Sequence, residues 1–293
     1  MRARIMGGLT AAAGLTALVA VGVAAVGDTA QANGGVSTQS SKGLKAVGLT
    51  GSGTKLVAFE TDEPRQVRRI GTVTGLTGDM ALIGIDYRVQ DGKLYGVGDQ
   101  GGVYTVSARS AKATKVSQLT VALQGTSFGV DFNPAANRLR VISDAGQNLR
   151  HNIDDGATAG TTATDGSLTY PPATATVTGV TGAAYTNNDL DPATATTLYD
   201  LDTNLDQVAI QSPANAGTLA PTGKLGVDAD SAAGFDVYSS LRNGKTTTVT
   251  GFAALSAGGT SSLYRINLIT GEASKLGTFP VTVTDIAVAL DDD

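Results

Sequence analysis

From Leu44 onward, apolar and polar positions alternate with a period of two in short runs, as in Lys55–Glu60 (KLVAFE) and Lys93–Gly98 (KLYGVG). That period is the one a half-buried strand imposes, because successive side chains point to opposite faces. The runs are broken by Gly and Asx clusters of the kind tight hairpins need: Gly51-Ser52-Gly53, Asp99-Gln100-Gly101, Asp144-Ala145-Gly146, Asp202-Thr203-Asn204 and Ala257-Gly258-Gly259. No amphipathic helical period of useful length follows the first apolar segment. Only Glu60, Glu63 and Glu272 are glutamates among 26 acids, and an excess of Asp over Glu belongs to turns rather than helices. The pattern predicts an all-β chain.

One line recurs within it: Gly84-Ile85-Asp86, Gly129-Val130-Asp131, Gly182-Ala183-Ala184 and Gly234-Phe235-Asp236, at steps of 45, 53 and 52 residues. A repeat of that length made of strands suits the blade of a propeller. Asp285 to Leu290 supplies a further leading strand with no strands after it. Leu44–Leu49, Lys55–Glu60 and Gln66–Gly71 are three strands without a leading one. Their union predicts a five-bladed β-propeller with velcro closure by the C-terminal strand, which removes free sheet edges. A six-bladed propeller and a stacked sandwich pair are the rival readings. The expected blades are 285–290 with 44–75, 82–120, 128–178, 182–226 and 234–279. The outer strand of the third blade is expected within Leu168–Thr178, after a long surface excursion through the low-complexity stretch 156–178.

Composition places this fold outside the cytoplasm. Arg2 and Arg4, the apolar stretch Ile5–Val26 and the small-x-small motif Ala30-Gln31-Ala32 predict a signal peptide over 1–32, cleaved before Asn33. An uncleaved membrane anchor is the alternative. Removal of Arg2, Arg4 and Asp28 moves the net charge from −5 to −6. The expected mature chain, 33–293, is a single-domain monomer, acidic, without a membrane span and without a basic patch for nucleic acid. It is secreted, or periplasmic where the cell has an outer membrane. With no cysteine, disulfides and thiolate metal sites are excluded.

The strings NRLRVISDAGQNLRHNIDDG, TGAAYTNND, TLYDLDTNLDQVAIQSPANAGTL and KLGVDADSAAGFDV resemble a bacterial family catalogued as a domain of unknown function (number 4394). The resemblance covers nearly all of the mature chain and implies an exported, propeller-like domain. It implies no activity, substrate or catalytic residue.

Candidate chemistry gathers in two places. Arg138, Arg140, Gln147, Asn148, Arg150 and His151 in the third blade have no counterparts in the equivalent strands of the others. Arg138 and Arg140 share a strand face and could clamp an anion. The plainer reading pairs them with Asp131 and Asp144. His151 is the sole histidine; without a second one for a metal pair it reads as a strand residue. The second place is a rim where turns and blade links emerge together, carrying Asp79, Asp99, Asp144, Asp202, Asp228, Asp230 and Asp285. Of these, Asp99, Asp144, Asp202, Asp228 and Asp230 are the candidate metal ligands, with Ca²⁺ the fitting ion, against the plainer reading of a solvated acidic rim. Asp200 to Asp206 imitates a calcium-loop spacing, but Leu205 stands where such loops want Gly and Gln211 where they want Glu. The leading functional reading is a non-catalytic scaffold for a small molecule, glycan or protein, with no catalytic residue assigned. The competing readings are a lyase or hydrolase using Asp, Arg and Tyr, and a structural cell-surface module. A glycan hydrolase is disfavoured by the absence of Trp and only 5% aromatic residues.

Overall fold

The computed structural model describes residues 43–191 and 193–291; the expected signal peptide and its cleavage site lie outside them. Blade one holds β1 (Lys45–Thr50), β2 (Lys55–Glu60) and β3 (Arg68–Thr72). Blade two holds β4 (Leu82–Arg88), β5 (Lys93–Gly98), β6 (Gly102–Val106) and β7 (Ala113–Gln118). Blade three holds β8 (Phe128–Asn133), β9 (Arg138–Ser143), β10 (Asn148–Asn152) and β11 (Thr161–Thr164). Blade four holds β12 (Val180–Tyr185), β13 (Leu198–Asp202), β14 (Gln207–Gln211) and β15 (Leu219–Lys224). Blade five holds β16 (Ala233–Arg242), β17 (Lys245–Ala257), β18 (Thr260–Ile266) and β19 (Ala273–Thr278). Finally β20 (Val283–Val288) joins blade one, giving the order β20-β1-β2-β3. It pairs antiparallel with β1 from Ala46↔Val288 to Leu49↔Asp285. The fold is the five-bladed propeller, closed by its last strand.

Each seam between blades is a hydrophobic layer. Blades one and two share Val47, Leu56, Leu82, Ile85 and Tyr104; blades two and three share Tyr95, Val97, Val130, Phe132 and Leu149. Blades four and five share Leu201, Val208, Phe235, Val237 and Leu255. Blades five and one meet through Phe252, Leu263, Ile286 and the edge-on ring pair Phe59–Phe279, with centroids 5.0 Å apart. The seam between blades three and four is built differently. Around Ile142, Leu168 and Ala183 it also buries Arg140, Asn148, Asp200 and Gln211.

Blade three departs from expectation in one element. Its outer strand lies at Thr161–Thr164, upstream of the expected Leu168–Thr178, because a short turn at Gly156–Thr158 returns the chain at once. The following segment contains Pro171-Pro172, which lack the N–H a ladder requires. It runs over the seam instead, burying Leu168 completely and bridging Thr169 to Thr218. Among the described residues no helix is long and apolar enough to cross a membrane.

The leading strands β4, β8, β12, β16 and β20 line the axis and touch one another there. A Cβ on Gly129 would stand 2.5 Å from the backbone nitrogen of Ala183, and one on Gly234 would stand 2.4 Å from the Asp285 Cα. Real Cβ atoms do not approach so closely, so these positions require Gly. The first residue of the recurring line therefore exists to bring neighbouring leading strands together.

Candidate functional site: the axial carboxylates

Each leading strand pairs with its own blade on one edge only. The N–H groups on its other edge point into a narrow axis and need acceptors. Two residues after the Gly, on the same side of the strand, an Asp supplies one. Asp86 Oδ2 accepts from the Phe132 N–H at 2.8 Å, and Asp236 Oδ2 from the Val288 N–H at 2.6 Å. Asp131 accepts the N–H of Tyr185. Every one of these carboxylates reaches from its own blade to the next. Blade four has Ala184 in this place. The closing strand has Ala287 there, but Asp285, two residues earlier, accepts from the Ile85 N–H at 2.7 Å.

The consequence of this stitching is concentrated charge. Carboxylate oxygens of Asp86, Asp131 and Asp236 all lie within 4.8 Å of one another, and all three residues are buried. Burial, and then the charge of Asp236, hold the Asp86 carboxyl well above the usual range. Asp131 is raised well above it by burial and then by Asp86. Burial pushes Asp236 up to about 6, against the lowering effect of the Val288 and Val237 N–H groups. Asp285 is raised by burial and by Asp236. The charges that act most strongly on these groups are one another's, and like charges at this separation resist joint ionisation.

The axis opens at the face where the leading strands begin. A cavity of about 330 Å³ there is lined by Leu82, Asp99, Ser127, Phe128, Ser231 and Thr284, the last adjacent to Asp285. Small polar groups, one carboxylate and one aromatic ring shape a mouth above the acid cluster. Two other clefts, of about 520 and 600 Å³, share Tyr87 and Ala108 on blade two. They face the seam with blade one, where Lys45, Glu60, Glu63 and Arg68 mix both signs of charge.

Of the candidate site residues singled out from the sequence, Asp99 lines the axial mouth and the others fall elsewhere. Arg140, Asn148 and Arg150 do meet, on the blade-four side of blade three. Arg140 is 2% exposed and donates to Asp165 (2.7 Å), Asn148 (2.6 Å), Asn215 (2.8 Å) and the Tyr185 hydroxyl (3.2 Å). Arg150 donates to both oxygens of the same Asp165 at 3.1 Å. The expected partners Asp131 and Asp144 are not the ones used; Asp165, just past the outer strand, is. Arg138 lies at the far end of β9 and pairs with Asp155 at 2.9 Å. Gln147 ties down the blade link through the Gln124 N–H and the Ala122 carbonyl. His151 is fully buried on the opposite face, between Ser117 Oγ at 2.8 Å and Thr162 Oγ1 at 3.0 Å, and burial lowers its pKa.

The rim aspartates stay apart. Asp99 accepts the Met80 N–H, Asp144 the Thr126 N–H and hydroxyl, and Asp202 the Leu205 N–H and Tyr170 hydroxyl. Asp228 and Asp230 are exposed on the link to blade five. None of the five belongs to a group of three metal-type ligands among the described residues. Asp285, expected on the rim, is instead 4% exposed on the axis, because the closing strand places it beside β4. The axial Asp was visible in the sequence as the third residue of the recurring line. Its meaning was not, since period alone does not tell which edge of a blade faces the axis.

Fold and site define a closed five-bladed propeller with a carboxylate-lined axis. The family model described as "Domain of unknown function (DUF4394)" matches residues 55–287, and the chain belongs to that family. No curated protein matches it. Solved structures to which the chain is similar include a chain of a nidogen/laminin complex, 11% identical, with 85% of this chain and 99% of that one covered and a TM-score of 0.46. A Bacteroides thetaiotaomicron protein of unknown function is 14% identical, covering 85% of this chain and 66% of that one at a TM-score of 0.44. An auxiliary nutrient binding protein from the same organism is 12% identical, covering 80% and 56% at 0.40.

Proposed function

We propose that this chain is an exported, monomeric binding propeller whose axis takes a hard cation, Ca²⁺ foremost, beneath a mouth that receives a small ligand. The observation that carries this is the trio Asp86, Asp131 and Asp236, with oxygens within 4.8 Å of one another. A Ca²⁺ ion bonds oxygen at roughly 2.3–2.6 Å, so donors on opposite sides of it stand about 5 Å apart. Three carboxylate oxygens inside that span fit one coordination sphere, with Asp285 one layer nearer the mouth. The ion supplies the positive charge that the neighbouring backbone N–H groups only partly provide, and it frees the carboxyls from sharing protons. The basic Arg2/Arg4 start and the Ala30-Gln31-Ala32 motif support export. The N–H acceptor role of these aspartates explains why each sits on a leading strand.

Isothermal titration of chelator-treated protein with Ca²⁺ tests the proposal. Saturable heat in the wild type, lost in Asp236→Asn, is the expected result; no heat from the wild type rejects the axial site.

A further inference from the structure

The seam between blades three and four contains a second feature, independent of the axis. One face of blade four carries Leu198, Asp200 and Asp202 on β13 and Gln207, Ala209 and Gln211 on β14, paired as Leu198↔Gln211, Asp200↔Ala209 and Asp202↔Gln207. Asp200 and Gln211 are thus diagonal neighbours on one face, within reach of each other's side chains. Asp200 is 0% exposed and Gln211 2%. Both carboxylate oxygens of Asp200 and the amide oxygen of Gln211 are buried without a hydrogen-bond partner. The Gln211 amide cannot be turned to change this, because its nitrogen donates to the Ala214 carbonyl.

The three orphaned atoms, on diagonal positions of one sheet face, are all acceptors. The donors of the layer are committed elsewhere. Arg140 spends four of its five N–H groups on Asp165, Asn148, Asn215 and Tyr185. Tyr170 donates to Asp202, which also takes the Leu205 N–H. Asn148 donates to the Gly166 and Ala214 carbonyls. Buried polar atoms are almost always paired, and a buried carboxylate with no donor at all is rarer still. A species that only accepts electron density and carries one positive charge would satisfy this set.

We infer that Asp200 and Gln211 form an internal site for a single alkali-metal cation, Na⁺ or K⁺, between blades three and four. One carboxylate and one neutral amide balance a monovalent ion; a divalent ion would leave a buried excess of positive charge beside Arg140. The site has the oxygen donors such ions prefer and stands apart from the axial trio, since Asp200 belongs to the second strand of its blade. Burial raises the Asp200 carboxyl well above its usual range while Arg140 opposes the rise, so a cation entering this site displaces a proton.

The test is thermal melting in chelator, so that divalent ions are absent, with NaCl or KCl exchanged for tetramethylammonium chloride at constant ionic strength. The expected result is a melting temperature raised by several degrees in one alkali salt, saturably with its concentration, in the wild type and in Asp236→Asn alike. The rise is expected to vanish in Asp200→Asn and to need a higher salt concentration in Gln211→Met. A wild type indifferent to the exchange overturns the inference, leaving water or a proton on Asp200 as the occupant. A full response retained in Asp200→Asn overturns it equally. Should Asp200→Asn fail to fold, the wild-type exchange and the Gln211→Met titration decide.

Discussion

Axis and rim use the same residue for the same task, with different results. On the rim, Asp99 and Asp144 accept N–H groups of the links that precede their blades, at 2.8 Å in both cases. Asp79 accepts the Gln100 N–H and the Tyr104 hydroxyl, and together with burial it pushes that phenol up to about 12. On the axis, Asp86, Asp131 and Asp236 accept N–H groups of the next leading strand in the same way. The rim aspartates are spaced around the edge of the ring, and their charges are dispersed. The axial ones are drawn to a common centre by the closeness of the leading strands, and their charges add. An acceptor role that is harmless once becomes an electrostatic problem when symmetry repeats it around a narrow axis. A bound cation turns that problem into a site.

Buried charge that already has its partner sets the upper reference. Arg140→Ala leaves Asp165 facing Arg150 alone and opens the blade-three seam. It is expected to cost about 3–5 kcal/mol, read from urea unfolding. A loss below about 1 kcal/mol would mean that the buried pair adds little and that burial alone does not separate axis from rim.

The unpartnered axis should show itself next, as a pH dependence. A carboxyl raised on folding binds more protons in the native state than in the unfolded one between its unfolded and folded pKa values. Stability therefore falls as pH rises through that window. For Asp236 the window runs from the ordinary carboxyl value of 3.8 to about 6, and one pKa unit is worth about 1.4 kcal/mol, so its share is roughly 3 kcal/mol. Asp86, Asp131 and Asp285 shift in the same direction. Asp154, lowered first by its bond to Arg88, has the opposite sign, but its contribution is lost only as pH falls below the ordinary carboxylate range. His151, lowered by burial, also has the opposite sign and adds stability as pH rises towards 6.5, but it is one group against the four axial ones. In chelator the melting temperature should decline between pH 4 and 7, and Ca²⁺ should flatten the decline. A chelated protein that gains stability across this range would break the comparison.

Smaller effects follow from geometry. Gly129→Ala forces a Cβ against the Ala183 backbone and should cost roughly 2–3 kcal/mol, since overpacking at a fixed backbone cannot relax. Asp144→Ala removes one rim acceptor and should cost about 1 kcal/mol, with any Ca²⁺ response unchanged. Both are measured by urea unfolding; a Ca²⁺ response lost in Asp144→Ala would move the ion to the rim.

The sequence carried the blade count because Gly-x-Asp recurs once per blade in most of them and the turn residues recur with it. It also carried the closure, since Asp285–Leu290 and Leu44–Leu49 each lacked a partner within reach. The outer strand of blade three lies upstream of where the pattern predicts it, because Thr161–Thr164 has no apolar alternation, both faces being largely exposed. The site was read from what was unusual: Arg140 and His151 stand out because other blades lack them, yet both serve a seam. The axial aspartates were hidden by being repeated. Repetition reads as architecture, and only the ring geometry shows that repeated positions meet. Asp200, inside the string TLYDLD, carried no signal that separated it from the turn acids around it.

Proton release on Ca²⁺ binding addresses the axial site most directly. Carboxyls raised by burial, Asp236 to about 6 and Asp86 and Asp131 in the same direction, hold protons that an arriving cation must displace. Calorimetric titration near pH 6 in two buffers of different ionisation enthalpy measures that number. The account predicts release of about one proton or more per Ca²⁺ bound, abolished together with binding in Asp131→Asn. Binding that releases no proton, or that persists unchanged in Asp131→Asn, would contradict it.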